Sequence, residues 1–178
     1  MPTTYQRCDE SVTTLASELL CKYDTHKPLL DARVKIDFVW AICDLDEDNH
    51  PINDALKKNG VKCLAITRKL GLKDRALGRG DAEIALDYYW WTQTASEEQQ
   101  RALLDHELHH IAVVMMKHSD TAQREEDGRP KLRLRKHDVE FGWFSIIAHR
   151  HGEHSQERIQ AKEIVERAGQ FYFPEFAK

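Results

Sequence analysis

No stretch of this sequence is apolar over the roughly 20 residues that a helix needs to cross a bilayer, so a membrane-spanning helix is excluded. The first residues, MPTTYQR, lack the apolar segment of a secretory signal, and the expected location is the bacterial cytoplasm. Cysteine is sparse. Cys8, Cys21, Cys43 and Cys63 are widely spaced, with no Cys-x-x-Cys pair and no cysteine after Cys63. That excludes a zinc ribbon, and in a cytoplasmic chain of this size the four thiols are expected to be reduced. Glycine (8) and proline (5) are too few for a collagen-like or low-complexity chain, and no internal repeat is present. Excess positive charge is also missing. A net charge of -4 argues against a dedicated nucleic-acid binder, though not against a local basic patch. What remains, 178 residues with 41% hydrophobic and 31% charged, suits a single domain over residues 1–178.

Patterning gives the order of elements. Val12, Leu15, Ala16, Leu19, Leu20 and Tyr23 recur at helical spacing and predict a helix over 10–23 that Pro28 closes off. Val34, Ile36, Phe38, Trp40 and Ile42 alternate and predict a strand over 33–42. Residues 44–59 are acidic and polar and read as loop, with a turn at Asn59-Gly60. VKCLAIT, 61–67, reads as a short strand buried on both faces. After a charged, glycine-marked connector, residues 82–91 alternate again, as a strand with one wetter face. Ser96 followed by Gln99 is a capping-box pattern that opens a helix to about Lys117. A polar loop (119–130), a short exposed strand (131–135), a helix over 137–151 ended by Gly152, and a helix over 155–168 capped by Ser155 complete the chain. The aromatic tail 171–176 is expected to dock on the body. This order describes an α+β domain around one core.

Histidine is the abundant residue: ten in all, seven of them between 106 and 151. Within DHELHHI, residues 105–111, lies the pattern H-E-x-x-H. On a helix, His106 and His110 are one turn apart on one face, and two imidazole nitrogens so placed can bind one zinc ion at about 2.0–2.1 Å. Glu107 is offset around the helix. It can hydrogen-bond a water activated by the ion, take its proton and pass it to a leaving amine.

A catalytic zinc needs a third protein ligand and an open position. Downstream candidates are His118, Asp120, His137, Asp138 and Glu140. His118 is expected two turns beyond His110 on the same helix, too far along the axis to reach the same ion. The 26 residues between His110 and His137 allow the chain to return, and Glu140 is a rival one turn on. Asp105 or Asp138 could orient a ligand imidazole. Arg150 or His149 could face the oxyanion of a tetrahedral intermediate. His109 is expected to point away from the metal.

RALLDHELHHIA (101–112) and KHDVEFGWFSIIAHRHG (136–152) together resemble the phage metallopeptidase family, which pairs an ALLDHELxH helix with a later KHDVEEF…RHG segment. The likeness extends over about 10–155. One residue departs from it: the second glutamate of VEEF is missing, and Phe141 directly follows Glu140. There is a more distant similarity to the SprT-like zinc peptidases, whose third ligand is a histidine opening a helix with an aromatic four residues on. His137 and Phe141 match that pattern, which places His137 ahead of Glu140.

The resemblance implies a zincin-like fold, a small mixed sheet against an active-site helix with flanking helices. It also implies a zinc-dependent peptidase in which His106, His110 and His137 bind Zn2+ and Glu107 is the general base. In such folds an edge strand pairs with an extended peptide, and 82–91 is placed to do so. Two rival readings stand beside it: an inert metallopeptidase-like module gripping a host protein or DNA, and a DNA-associated protease using the basic run 129–136. Sequence alone assigns no substrate and no oligomeric state.

Overall fold

The computed structural model describes residues 3–119, 121–137 and 144–164. Its centre is a four-stranded mixed sheet in the order β1-β2-β6-β5. Strand β1 (Thr4–Arg7) runs antiparallel to β2 (Ile36–Ile42), and β2 runs parallel to β6 (Ala82–Asp87) with Trp40 beside Leu86. Between β2 and β6 the chain forms a small hairpin, β3 (Lys57–Lys58) and β4 (Val61–Lys62), and then β5 (Ala65–Lys69), which pairs antiparallel with β6. The hairpin turn is Asn59-Gly60. Both residues have positive φ, 54° and 81°, as a tight two-residue hairpin turn requires.

Helix α1 (Glu10–Lys22) begins at Asp9, whose carboxylate accepts the Ser11 amide, and buries Val12, Ala16 and Leu19 as its periodicity predicts. These residues pack with Phe38, Trp40, Ile84 and Leu86 of the sheet and with Leu103, Leu104 and Leu108 of α4 (Glu97–His110). Helix α4 opens with the capping box read from the sequence. Ser96 Oγ accepts the Gln99 amide at 3.3 Å, and Gln99 Oε1 accepts the Ser96 amide at 2.9 Å. Short helices α2 (Lys27–Asp31) and α3 (Leu72–Ala76) lie in the connections. Pro28 sits in the first turn of α2, where its missing amide costs nothing, rather than ending a helix.

Several expectations are corrected. The strand over 82–91 stops at Asp87, and the chain coils into a π turn at Trp90–Thr94. This strand is central, not an edge, and buried on both faces. Its polar face is largely covered: Glu83 is paired with Arg68 and Arg79, and Ala85 packs with Ala41, Ala55 and Leu56. The apolar 61–67 run is not one buried strand either. Val61 and Lys62 are exposed in the hairpin, and only from Ala65 does the chain join the sheet.

The helix over 96–117 ends at His110. Residues Ile111–Val113 form β7, antiparallel to β8 (Leu132–Leu134) with Ile111 beside Leu134. A helical stripe runs through Leu103, Leu104, Leu108, Ile111, Ala112 and Met115, but Ile111 and its neighbours Val113 and Val114 are β-branched, and the segment fits a strand as well. His118 therefore stands in a turn with φ 58°, not on the helix. Of the helix expected over 137–151, α5 (Ser145–His151) is described, opening after the extended Phe144 and ending at Gly152, φ 52°; residues 138–143 lie outside the described residues. Helix α6 (Gln156–Ile164) is capped by Ser155, whose Oγ accepts the Arg158 amide at 3.2 Å. The expected end of that helix at 168, the aromatic tail, Asp120, Asp138, Glu140 and Phe141 lie outside the described residues. Among the described residues no helix is long and apolar enough to cross a membrane.

Burial alone would raise the Glu83 carboxyl, but its hydrogen bonds and charge pairing with Arg68 and Arg79 outweigh this and hold it below its ordinary value. A carboxylate lowered in the folded state stabilises the fold fully above the unfolded value, about 4.3 for glutamate. It loses that contribution as pH falls from there through the folded value. Glu83→Gln is therefore expected to lower Tm at pH 7, with the gap to wild type closing below about pH 4. A Tm difference constant from pH 7 to pH 3 would contradict the assignment.

Candidate metal centre

The last turn of α4 brings His106, Glu107 and His110 together, and the segment after β8 adds His137. One ring nitrogen from each of the three histidines lies within 4.8 Å of the other two. His106 Nε2 and His137 Nε2 are 3.2 Å apart. Tetrahedral ligands at about 2.0–2.1 Å from one ion stand roughly 3.3 Å apart, so this spacing suits a shared cation.

The opposite nitrogens are committed elsewhere. His106 Nδ1 is 2.6 Å from Glu157 Oε1, and His110 Nδ1 is 3.0 Å from the carbonyl oxygen of Arg135. A carbonyl oxygen and a carboxylate only accept. Nδ1 of each ring therefore carries the proton, and in the neutral rings Nε2 keeps its lone pair for the cluster. Such outer partners set ligand orientation in metal sites.

The electrostatics favour neutral donors at two of the three rings. Burial, then the neighbouring His110 and His106, lower His137 to about 4. Burial likewise lowers His110 against the opposing pull of Glu107. The ammonium of Lys58, on the β3–β4 hairpin, adds to both effects. His106 is raised: burial opposes the charge, but Glu157, Glu107 and Asp105 outweigh it. Three imidazoles with lone pairs converging on one point are a donor set suited to zinc and to several other transition metals.

Glu107 is buried, and Thr67 of β5 donates its hydroxyl to Glu107 Oε2 at 2.7 Å and to the Glu107 carbonyl at 3.2 Å. No local sequence signal marks Thr67, because it reaches the helix from a strand 40 residues earlier. Phe144 is fully buried, and its ring lies 4.7–4.9 Å from those of His106, His109, His110 and His137. Sequence reading missed Phe144 and Glu157 alike. Only their nearness to the RHG segment hinted at the region.

Asp105 does not orient a ligand ring. Fully buried, it accepts from His26 Nε2 at 2.6 Å, His151 Nε2 at 2.7 Å and Arg150 Nη1 at 3.2 Å. These bonds hold its carboxyl well below the ordinary range despite burial. Arg150 is thus engaged with Asp105, Thr25 and the Tyr23 ring rather than turned to an oxyanion, and His149 is exposed. His109 faces away from the cluster, beside Arg135 and 6.0 Å from His26, as expected. The basic run 129–136 is partly spoken for. Arg129 bonds the Arg79 carbonyl and pairs with Asp81, Arg135 meets His109, and Lys131, Arg133 and Lys136 remain exposed.

An α+β domain that closes three histidines around one point is of a kind that could hold a metal ion. The comparison with protein families makes this narrower. The family described as Putative phage metallopeptidase matches residues 4–168, and the chain belongs to it. No curated protein and no solved structure matches.

Phe144 forms the shared wall of the cluster. Phe144→Ala should cost about 3–5 kcal/mol of unfolding free energy, read from denaturant titration. A loss below about 1 kcal/mol would show that the ring is not packed as described.

Proposed function

We propose that this protein is a zinc-dependent peptidase with a single zincin-like domain. In this reading His106, His110 and His137 hold Zn2+, Glu107 is the general base, and protein or peptide is the substrate. The observation that carries it is the convergence of three imidazoles, two of them tied down at the other nitrogen, with the Glu107 carboxylate near enough for its charge to act on His106 and His110. Family membership supports a metal and a peptide substrate.

A bound zinc ion supplies Lewis acidity to the scissile carbonyl and acidifies a water molecule. The remaining work falls to the chain. Thr67 holds Glu107 Oε2 and so fixes the plane of the carboxylate. Oε1, with no hydrogen-bond partner among the described residues, takes the water's proton and returns it to the leaving amine. Phe144 walls off one side of the imidazoles and limits water there.

The peptide-aligning strand in this reading is β5, not the central β6. β5 is outermost in the sheet, and it carries Thr67 against Glu107. An extended substrate added along β5 would lie next to the base.

Metal content by mass spectrometry on native protein should give about one zinc per chain in wild type and none in His137→Ala. Glu107→Gln should keep metal and Tm and lose turnover by roughly 100-fold or more. Wild type that stays metal-free after reconstitution would remove the reading. Unchanged behaviour of Glu107→Gln would leave a binding module instead of an enzyme.

A further inference from the structure

Adjacent residues of α4 are gripped by different parts of the C-terminal region. Asp105 is bonded to Arg150 and His151 at the end of α5, and His106 is bonded to Glu157 in the first turn of α6. Gly152 and the Ser155 cap turn the chain sharply between the two, so that fastening α5 at Asp105 delivers α6 to His106. Glu157 is 2% exposed. Among the described residues its Oε2 is buried with no hydrogen-bond partner and His106 is its one side-chain partner, while backbone hydrogen bonds at Phe144 and at Glu157 itself also favour its charged form.

A buried carboxylate with one orphaned oxygen is costly unless positive charge stands near it. Across the His106 ring from Glu157 lies the cluster of Nε2 atoms. A divalent cation there would supply that charge through the imidazole, and would sharpen the Nδ1–H as a donor.

We propose that Glu157 is a positioning residue of the metal centre: it fixes the His106 ring for metal binding, and metal loading in turn fastens α6 onto α4. The inference rests on the three-histidine metal site proposed above. It adds that helix α6, 51 residues from the ligand it serves, belongs to that site and responds to its loading.

The test uses the full chain, Zn2+ as the probe, and two readouts other than activity. Zn2+ affinity is measured by competition with a chromogenic chelator, and amide hydrogen exchange of residues 156–164 is followed with and without Zn2+. In wild type, Zn2+ should slow exchange in 156–164. Glu157→Ala should bind Zn2+ about 10- to 100-fold more weakly and lose that protection. Glu157→Gln keeps an acceptor for Nδ1 but not the charge, and should fall between. Glu153→Ala, an exposed change at the adjoining turn, should match wild type.

A merely structural role would raise exchange in the metal-free variants while leaving the Zn2+-dependent protection in place, and that result overturns the proposal. So does wild-type affinity in Glu157→Ala. Should Glu157→Ala fail to fold, Glu157→Gln decides: affinity within twofold of wild type overturns the proposal, and clear weakening supports it. Wild type that binds no Zn2+ overturns the metal centre itself. Wild type that binds while the Glu157 variants match it overturns only this inference.

Discussion

His110 and Arg135 hold each other in two ways at once. The Arg135 amide donates to the His110 carbonyl at 2.7 Å, and the His110 imidazole donates from Nδ1 to the Arg135 carbonyl at 3.0 Å. The first bond satisfies a carbonyl at the helix end, where no further turn of helix can do so, and starts the β7–β8 ladder. The second fixes the tautomer and the aim of a candidate ligand. Because His137 follows Arg135 by two residues, the same pairing carries the third imidazole to the other two. Without it the helix could run on through Ile111 and Ala112, and the chain would have no fixed point from which to return.

Around this junction the site is held from three directions. From the sheet, Thr67 reaches down to Glu107 by a hydroxyl hydrogen bond. From the C-terminal helices, Glu157 reaches His106, and Phe144 fills the space between the rings by packing alone. From beneath, the buried Asp105 is surrounded by His26, His151 and Arg150. A buried carboxylate with that many donors is well compensated, and it ties the N-terminal region, α4 and α5 into one unit. Six of the ten histidines thus divide into two groups. His106, His110 and His137 turn lone pairs to a common point, while His26, His109 and His151 serve a buried polar network behind them.

Much of this was legible in the chain, because some signals are local. The capping box at Ser96, the spacing of His106 and His110, the offset of Glu107, the stripe of α1, the turn at Asn59-Gly60 and the stop at Gly152 all rest on contacts within a few residues. The family resemblance, carried by two motifs in the right order, agreed with the match over residues 4–168. The errors came where two local codes overlap. Ile111 to Met115 fits a helix by period and a strand by β-branching, and only the pairing with β8 decides between them. The alternation at 82–87 is real, but alternation reports two faces, not whether both are covered.

What the sequence by itself determined is the chemistry available: H-E-x-x-H on a capped helix, a later histidine, and an α+β order of elements. What only the tertiary structure decided is who holds that chemistry in place. Glu157, Phe144, Thr67 and the Arg135 backbone lie 25 to 51 residues from the side chains they grip, or pack on several at once. Nothing near them in the chain marks a glutamate, a phenylalanine or a threonine for such a role. The placement of β6 in the sheet, and with it which strand is left at the edge, is likewise a property of pairing partners. These are choices made by closure of the core, where burial leaves each polar group few alternative partners.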